Sequence, residues 1–193
     1  MRNLQFAADL LTMGAWITWA ALWLVLAGGV KPAVRREGLL SRALHLGPLL
    51  LGAFLLVGGP MLPAWLNAPI LPVGPWLALP GVALVAAGLA LATWARFTLG
   101  GNWSGTVTVK HRHELIRTGP YAFARHPIYT GLLIALLGTA CTANAWRALT
   151  ALLIIAASFL RKMRTEEAFM RDTFGPAYDT YRAEVAALFP GLY

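Results

Sequence analysis

The sequence predicts an all-α, polytopic membrane helix bundle with about five transmembrane helices and a C-terminal amphipathic helix. Three observations carry this reading. Only 12% of the 193 residues are charged and 58% are hydrophobic, against about a quarter charged in a soluble domain. From Ala43 to Ala95 there is no Asp, Glu, Lys or Arg. The basic residues instead gather in two loops and a tail that flank apolar stretches, as topology signals do.

Residues 10 to 30 are uncharged and rich in Leu, Ala and Trp. Twenty-one residues at about 1.5 Å rise cross a hydrocarbon core of about 30 Å. The segment runs from Arg2 into Lys31 and reads as a retained first span rather than a cleaved leader. Trp16, Trp19 and Trp23 recur at helical spacing as a lipid-facing or interfacial stripe. A basic loop follows at 31–42. Glycines and prolines divide the next apolar run into a second helix over 44–62, a connection to 75, and a third helix from Trp76 to Leu99. His45, inside the second helix, is expected to have no bearing on ligand binding.

Gly100 to His126 is polar, and Pro127 to Trp146 is again uncharged, as is Ala148 to Leu160. With Asn144 as the turn, these form a tight hairpin of helices four and five. The tail, 161–193, is amphipathic and breaks at Gly175-Pro176, a helix stop followed by a helix start. The chain thus divides into three N-terminal spans, 1–99, and a C-terminal core, 100–193. Five spans put every basic region on one side, which the positive-inside rule makes cytoplasmic. The net charge of +8 is accounted for by that rule and by anionic membrane lipids, not by nucleic acid. Cys141 is the sole cysteine, so an intrachain disulfide and a CxxC metal site are excluded.

Two polar clusters then share a face. In His126-Pro127-Ile128-Tyr129, proline suits a first helical turn and pushes His126 out of helical geometry. His126 is expected at a helix mouth, beside exposed backbone N–H groups able to hold an anion. The alternative is an interfacial anchor. Leu115-Ile116 and Tyr121, around the Gly119-Pro120 turn, can offer backbone groups and a ring to a nucleoside. They serve equally as an ordinary loop. In Arg161-Lys162-Met163-Arg164-Thr165-Glu166-Glu167, helical spacing pairs Lys162 with Glu166 and Arg164 with Glu167. Glu166 can hold an ammonium or a ribose. The cations Arg161, Lys162 and Arg164 near membrane depth favour an anionic acceptor, carboxylate first; the alternative is a snorkelling basic cluster with surface ion pairs. No GxGxxG after a strand, HExxH or GxSxG is present.

HELIRTGPYAFARHPIYTG (113–131) followed by EEAFMRDTFGPAYDTY (166–181) resembles the C-terminal half of the isoprenylcysteine carboxyl methyltransferase family and its phospholipid methyltransferase relatives. The resemblance runs from Asn102 to Tyr181. It implies a membrane bundle with a cytoplasmic cofactor pocket roofed by the C-terminal region, and S-adenosylmethionine as methyl donor. Cofactor contacts would fall on His113, Glu114, Leu115, Ile116, Tyr121, His126, Pro127, Ile128, Tyr129 and Glu166. Lys162, one turn before Glu166, matches a family basic residue near the acceptor, with Arg164 as its substitute in catalysis. The acceptor would be a lipophilic or amphiphilic molecule. The composition resembles a bacterial protein's, hence an inner-membrane location. An NADPH-dependent reductase of the sterol-reductase type and a non-enzymatic lipid-binding protein are the rival readings.

Overall fold

The computed structural model describes residues 2–27, 33–36, 38–72, 75–103, 108–110 and 114–190. Among these, α1 is Arg2–Leu26, α2 Leu39–Val57, α3 the single turn Ala64–Asn67, α4 Ala78–Leu99, α5 Pro127–Ala143, α6 Trp146–Phe174 and α7 Pro176–Glu184. Three helical stretches are long and apolar enough to cross a membrane: Asn3–Leu26, Leu39–Val57 and Ala78–Asn102. They correspond to the first three spans expected, and the chain is an integral membrane protein. Helix α5 is apolar but shorter than these.

Several boundaries differ from the sequence reading, each for a local reason. Helix α1 begins eight residues before the apolar run, because Gln5 Nε2 bonds the Asp9 carboxylate one turn on, at 3.1 Å. Helix α2 takes in Leu39 to Ala43 and stops at Gly58, whose N–H closes on the Phe54 carbonyl. Helix α6 does not end with its apolar half. It carries the charged stretch 161–167 straight on to Phe174. The break at Gly175-Pro176 is borne out: Gly175 has φ +52° and Pro176 opens α7.

One feature has no counterpart in an all-α expectation. Strand β1 (Ala33–Arg36) pairs antiparallel with strand β2 (Thr108–Lys110). The pairing ties the loop after α1 to the loop after α4, so these two basic loops sit at one end of the bundle.

Helices α4 and α5 run antiparallel with their backbones almost touching. A Cβ built on Gly88 would lie 2.3 Å from the Gly131 carbonyl oxygen, and one on Gly81 would lie 2.8 Å from that of Gly138. Ala92 and Ala135 fill the space between and are fully buried. Lipid tails are as apolar as leucine, so no hydrophobic force drives helices together inside a bilayer. Close dispersion contact between small residues does that work instead. Helix α2 packs on α6 in the same way, through Gly52 against Ile155 and Ala151.

The α5–α6 hairpin turns on Asn144, in the left-handed region at φ +41°. Its side chain donates to the Leu71 carbonyl at 2.9 Å and accepts from Leu71 N–H at 3.1 Å. Arg147 donates to the carbonyls of Leu55 and Leu56 at the end of α2. Backbone groups exposed by helix ends are satisfied inside the protein, as a low-dielectric surrounding demands.

Replacing Gly88 or Gly131 with alanine is expected to lower stability by about 1–3 kcal/mol through overpacking against backbone. Gly14 and Gly47 have nothing within 4 Å of a built Cβ, and alanine there is expected to be neutral or mildly stabilising. Thermal unfolding of the four variants in detergent checks this, and equal shifts would overturn the close-contact account.

Candidate active site

A cavity of about 370 Å³ lies between α1, α2, the end of α4, α5, α6 and α7, with residues of the segment between α4 and α5 along its wall. Its two ends differ in character. One is lined by Glu114, Arg125, His126, Glu166, Tyr178 and Tyr181, the other by Trp19, His45, Leu46, Leu49, Leu132 and Phe159.

Helix α5 starts at Pro127, with His126 as the residue before it at φ −126° and ψ 57°. Proline at the first helical position holds the turn, and the pre-proline residue is kept out of helical geometry. His126 therefore turns its ring toward α6, where Nε2 lies 3.3 Å from Glu167 Oε1 and Nδ1 lies 3.7 Å from Glu166 Oε2. One turn along α5, the Tyr129 hydroxyl donates to Glu166 Oε1 at 2.7 Å. The Tyr129 ring packs on Phe159, centroids 4.9 Å apart.

The open helix mouth expected from the sequence is partly closed. Arg125 N–H and His126 N–H donate to the Ala186 and Ala187 carbonyls at 2.9 and 3.0 Å. The Thr130 hydroxyl donates to the Leu188 carbonyl at 2.7 Å. The chain after α7 thus straps down the start of α5, and the anions nearest His126 are the protein's own glutamates. Nothing in the residues around Val185 announces this, because the strap bonds through its backbone.

Glu167 is the main residue that sequence reasoning misplaced. The i,i+3 spacing assigned it to Arg164, which is exposed on α6. Instead Glu167 Oε1 accepts from Arg125 Nε and Nη2 at 2.9 and 2.8 Å, and Arg182 Nε approaches Oε2 at 3.5 Å. Burial raises the Glu167 carboxyl, but hydrogen bonds from His126 and Arg125 and their charges outweigh it and hold the group down at about 2. Arg125 is itself buried and also donates to the carbonyls of Arg182 and Val185.

Tyr121 and Tyr181, at the cavity, stay neutral. Burial, then the charge of Glu166, pushes Tyr121 well above the ordinary phenol value. Burial takes Tyr181 up to about 12 against the opposing charges of Arg125 and Arg117. The Tyr181 hydroxyl donates to the Tyr121 carbonyl at 2.6 Å, which fixes α7 over the 119–122 turn.

Of the sequence-derived candidates, Glu114, Leu115, Ile116, Tyr121, His126, Ile128, Tyr129, Lys162 and Glu166 all line this one cavity. Pro127 is fully buried beneath it. His113 lies outside the described residues. Lys162 is buried, with Nζ 3.9 Å from Glu166 Oε1 and 5.9 Å from the centre of the Tyr129 ring. Arg161 reaches away to the Ser41 carbonyl and hydroxyl at 3.1 and 3.2 Å. Arg164 does not line the cavity, so it is poorly situated to substitute for Lys162. His45, expected to be remote, lines the apolar end, as do Trp19 and Trp23 of the supposed lipid-facing stripe. In a uniformly apolar span, periodicity does not distinguish the face turned to protein from the face turned to lipid. A lone histidine among leucines was the available signal.

Residues 81–172 match the family described as isoprenylcysteine carboxyl methyltransferase (ICMT). This match takes in just under half of the chain. It is 34% identical over 106 residues to a protein-S-isoprenylcysteine O-methyltransferase of Schizosaccharomyces pombe, covering 53% of this chain and 45% of the relative. It is 31% identical over 121 residues to the cobalt-zinc-cadmium resistance protein CzcN of Cupriavidus metallidurans, covering 62% of this chain and 53% of that one. The chain therefore spans about half the length of these curated relatives. A solved structure of the eukaryotic intramembrane Ras methyltransferase ICMT shares the fold with a TM-score of 0.53 at 23% identity, covering 82% of this chain and 55% of that one.

The carboxylate of Glu167 gives a pH prediction. Its value in the fold, about 2, lies below the ordinary 4.5, so its contribution to stability is fully present above pH 4.5. That contribution fades as pH falls toward 2. Glu167→Gln is expected to cost roughly 3 kcal/mol at neutral pH by leaving Arg125 buried without its anion, and to flatten this acid-side loss. Removing the exposed Arg171–Asp179 contact should cost less than about 1 kcal/mol. Melting temperatures measured from pH 7 to 3 test both, and an unchanged acid slope in Glu167→Gln would contradict the assignment.

Proposed function

We propose that this chain is an S-adenosylmethionine-dependent methyltransferase acting on a lipophilic acceptor. The observation that carries the reading is a single cavity with a polar, acidic end and an apolar end. A volume of about 370 Å³ falls in the range of small-molecule sites, roughly 300–1,000 Å³. The donor is a cation at its sulfonium and its ammonium, and it bears a ribose and an adenine.

The polar end suits that donor set. Glu166 and Glu114 supply negative charge, and the Tyr129 and Tyr121 rings offer faces to a cation. Leu115 and Ile116 can flank the base. The donor supplies an electrophilic methyl group, and the protein's task is alignment and exclusion of water. Tyr129 and His126 hold Glu166 in place, while the strap after α7 holds the start of α5 and α7 lines the cavity through Tyr178 and Tyr181.

The apolar end suits a greasy acceptor, with Lys162 at the junction. A carboxylate acceptor is already ionised, so a nearby cation orients it without proton transfer. This favours a carboxylate head on an apolar tail, in keeping with the substrate in the names of the relatives. We infer further that the chain crosses the membrane five times, with the β1–β2 end cytoplasmic, as in a bacterial inner membrane. A topology reporter inserted after Asn67 should then read as external, and one placed after Pro190 as cytoplasmic. The reverse pattern would overturn this orientation.

Calorimetry on the detergent-purified chain with S-adenosylhomocysteine and with NADPH tests the cofactor. Binding of the first alone is expected. Glu166→Gln should weaken it by roughly 1–3 kcal/mol, the worth of a charged hydrogen bond. Lys162→Ala should lower turnover of a lipophilic acid roughly 10²-fold while homocysteine-form binding persists. Binding of NADPH instead would favour a reductase, and binding of neither a lipid-binding protein.

A further inference from the structure

His45 lies in α2 and Ser158 in α6, and both are more than nine-tenths buried. His45 Nδ1 and Ser158 Oγ are 2.8 Å apart. The Ser158 hydroxyl also lies 3.2 Å from the His45 backbone carbonyl, to which it donates. A hydroxyl has one proton to give. With that proton on the carbonyl, Ser158 Oγ accepts from Nδ1–H, and the neutral ring carries its lone pair on Nε2.

Packing alone does not call for this pair. Burying a polar pair at membrane depth carries a desolvation cost, and two apolar residues of similar shape would serve the helix contact as well. The pair lies where the proposed acceptor would sit. His45 lines the apolar end of the cavity, beside the Phe159 ring, whose centre is 6.4 Å from that of His45. Ser158 precedes Lys162 by one helical turn, and Lys162 precedes Glu166 by another. The imidazole therefore flanks the acceptor side of Lys162, away from the acidic donor end.

We propose that His45 is a proton acceptor for the methyl acceptor, and that the site methylates lipophilic thiols and phenols as well as carboxylates. This rests on the methyl-transfer reading of the same cavity. As the sulfur or oxygen of the acceptor bonds the methyl carbon, its proton passes to His45 Nε2. The carbon–sulfur bond of the sulfonium breaks and its electron pair stays on sulfur, leaving a neutral thioether. The positive charge moves from sulfonium to imidazolium, and His45 returns the proton to water once product leaves. The Lys162 ammonium favours the negative charge that develops on the acceptor. A carboxylate needs no such base, so His45 separates the two acceptor classes. Ser158 is a positioning residue that holds the tautomer.

The test uses the full chain in detergent with S-adenosylmethionine and three probes of matched chain length: an alkyl thiol, an alkyl phenol and a fatty acid. Wild type should methylate the thiol and the phenol, with a rate that rises with pH through one ionisation. His45→Gln should lower those rates roughly 10²-fold or more and abolish the pH step. The thiol-to-fatty-acid rate ratio should fall with them. S-adenosylhomocysteine binding by the variant reports that the cavity is intact. Nitrogen-15 NMR of the wild-type imidazole should find Nδ1 protonated and Nε2 bare, and Ser158→Ala should redistribute that proton. Methylation of the fatty acid alone, equal losses on all three probes in His45→Gln, or a proton on Nε2 in the wild type would overturn the inference and leave the methyl-transfer reading standing. Failure of the wild type to bind S-adenosylhomocysteine would overturn both.

Discussion

The polar half of this molecule depends on the carboxylate of Glu167. Arg125, His126 and Arg182 converge on it, and without it the buried Arg125 would lose its carboxylate partner. Arg125 passes the constraint on by holding the Arg182 carbonyl in the last turn of α7 and the Val185 carbonyl just after it. The start of α5, the charged stretch of α6 and the strap are thus fixed by one group. A buried ion pair of this kind adds little net stability, because desolvation consumes most of the Coulombic gain. Its effect is geometric. It holds the His126 ring against the glutamates and sets the turn of α5 that carries Tyr129 to Glu166.

The apolar half obeys a different constraint. Helices α4 and α5 approach through Gly81, Gly88, Gly131 and Gly138, which leaves almost no space between them. The cavity lies on another face of α5, the one bearing Ile128, Tyr129 and Leu132. Tight packing on one side lets the helix stay rigid while its other side borders empty space. Close-packed interiors do not ordinarily tolerate such voids. Here the large side chains around it, Trp19, Trp23 and Phe159, are braced by ring contacts with one another and with Tyr129. Trp19 stacks on Trp23 with centroids 4.5 Å apart, and Phe159 packs on Tyr129.

Much of this could be read from the sequence wherever local chemistry decides structure. Asn144 as a turn, Gly175-Pro176 as a break and Pro127 as a helix start depend on backbone preferences of those residue types, and each stands as expected. The Lys162–Glu166 pairing follows from helical spacing and is present. Tertiary choices were not legible in the same way. The spacing that linked Lys162 to Glu166 also linked Arg164 to Glu167, yet Glu167 is taken by Arg125, 42 residues earlier in sequence. Two adjacent glutamates point in different directions on a helix, and only the fold decides which meets which partner. The inward face of α1 was hidden for a related reason: Trp16, Trp19 and Trp23 are equally at home against lipid and against protein. The hydrogen bond from Trp16 Nε1 to the Thr139 hydroxyl, at 2.9 Å, shows that this stripe is a packing surface.

Helix α6 is what joins the two halves. Ser158, Lys162 and Glu166 follow one another at intervals of four residues along one face, about 6 Å apart along the axis. Each is engaged by a different element: Ser158 by His45 of α2, Glu166 by Tyr129 of α5, and Lys162 by Glu166 itself with the Tyr129 ring beside it. The row grades from a neutral pair at the apolar end, through a cation, to an anion at the aqueous end. Such an order keeps the full charges near water and next to each other, where their desolvation is least costly. It also has a directional consequence for displacement chemistry, in which nucleophile, methyl carbon and leaving sulfur must lie in line. A cation held by Glu166 and a nucleophile beside Lys162 would be aligned by a single rigid rod rather than by loops. Alignment of this kind lowers the barrier mainly by removing orientational freedom before the reaction begins. The charged stretch 161–167 remains helical where α6 leaves its apolar half because Tyr129 and Arg125 hold Glu166 and Glu167.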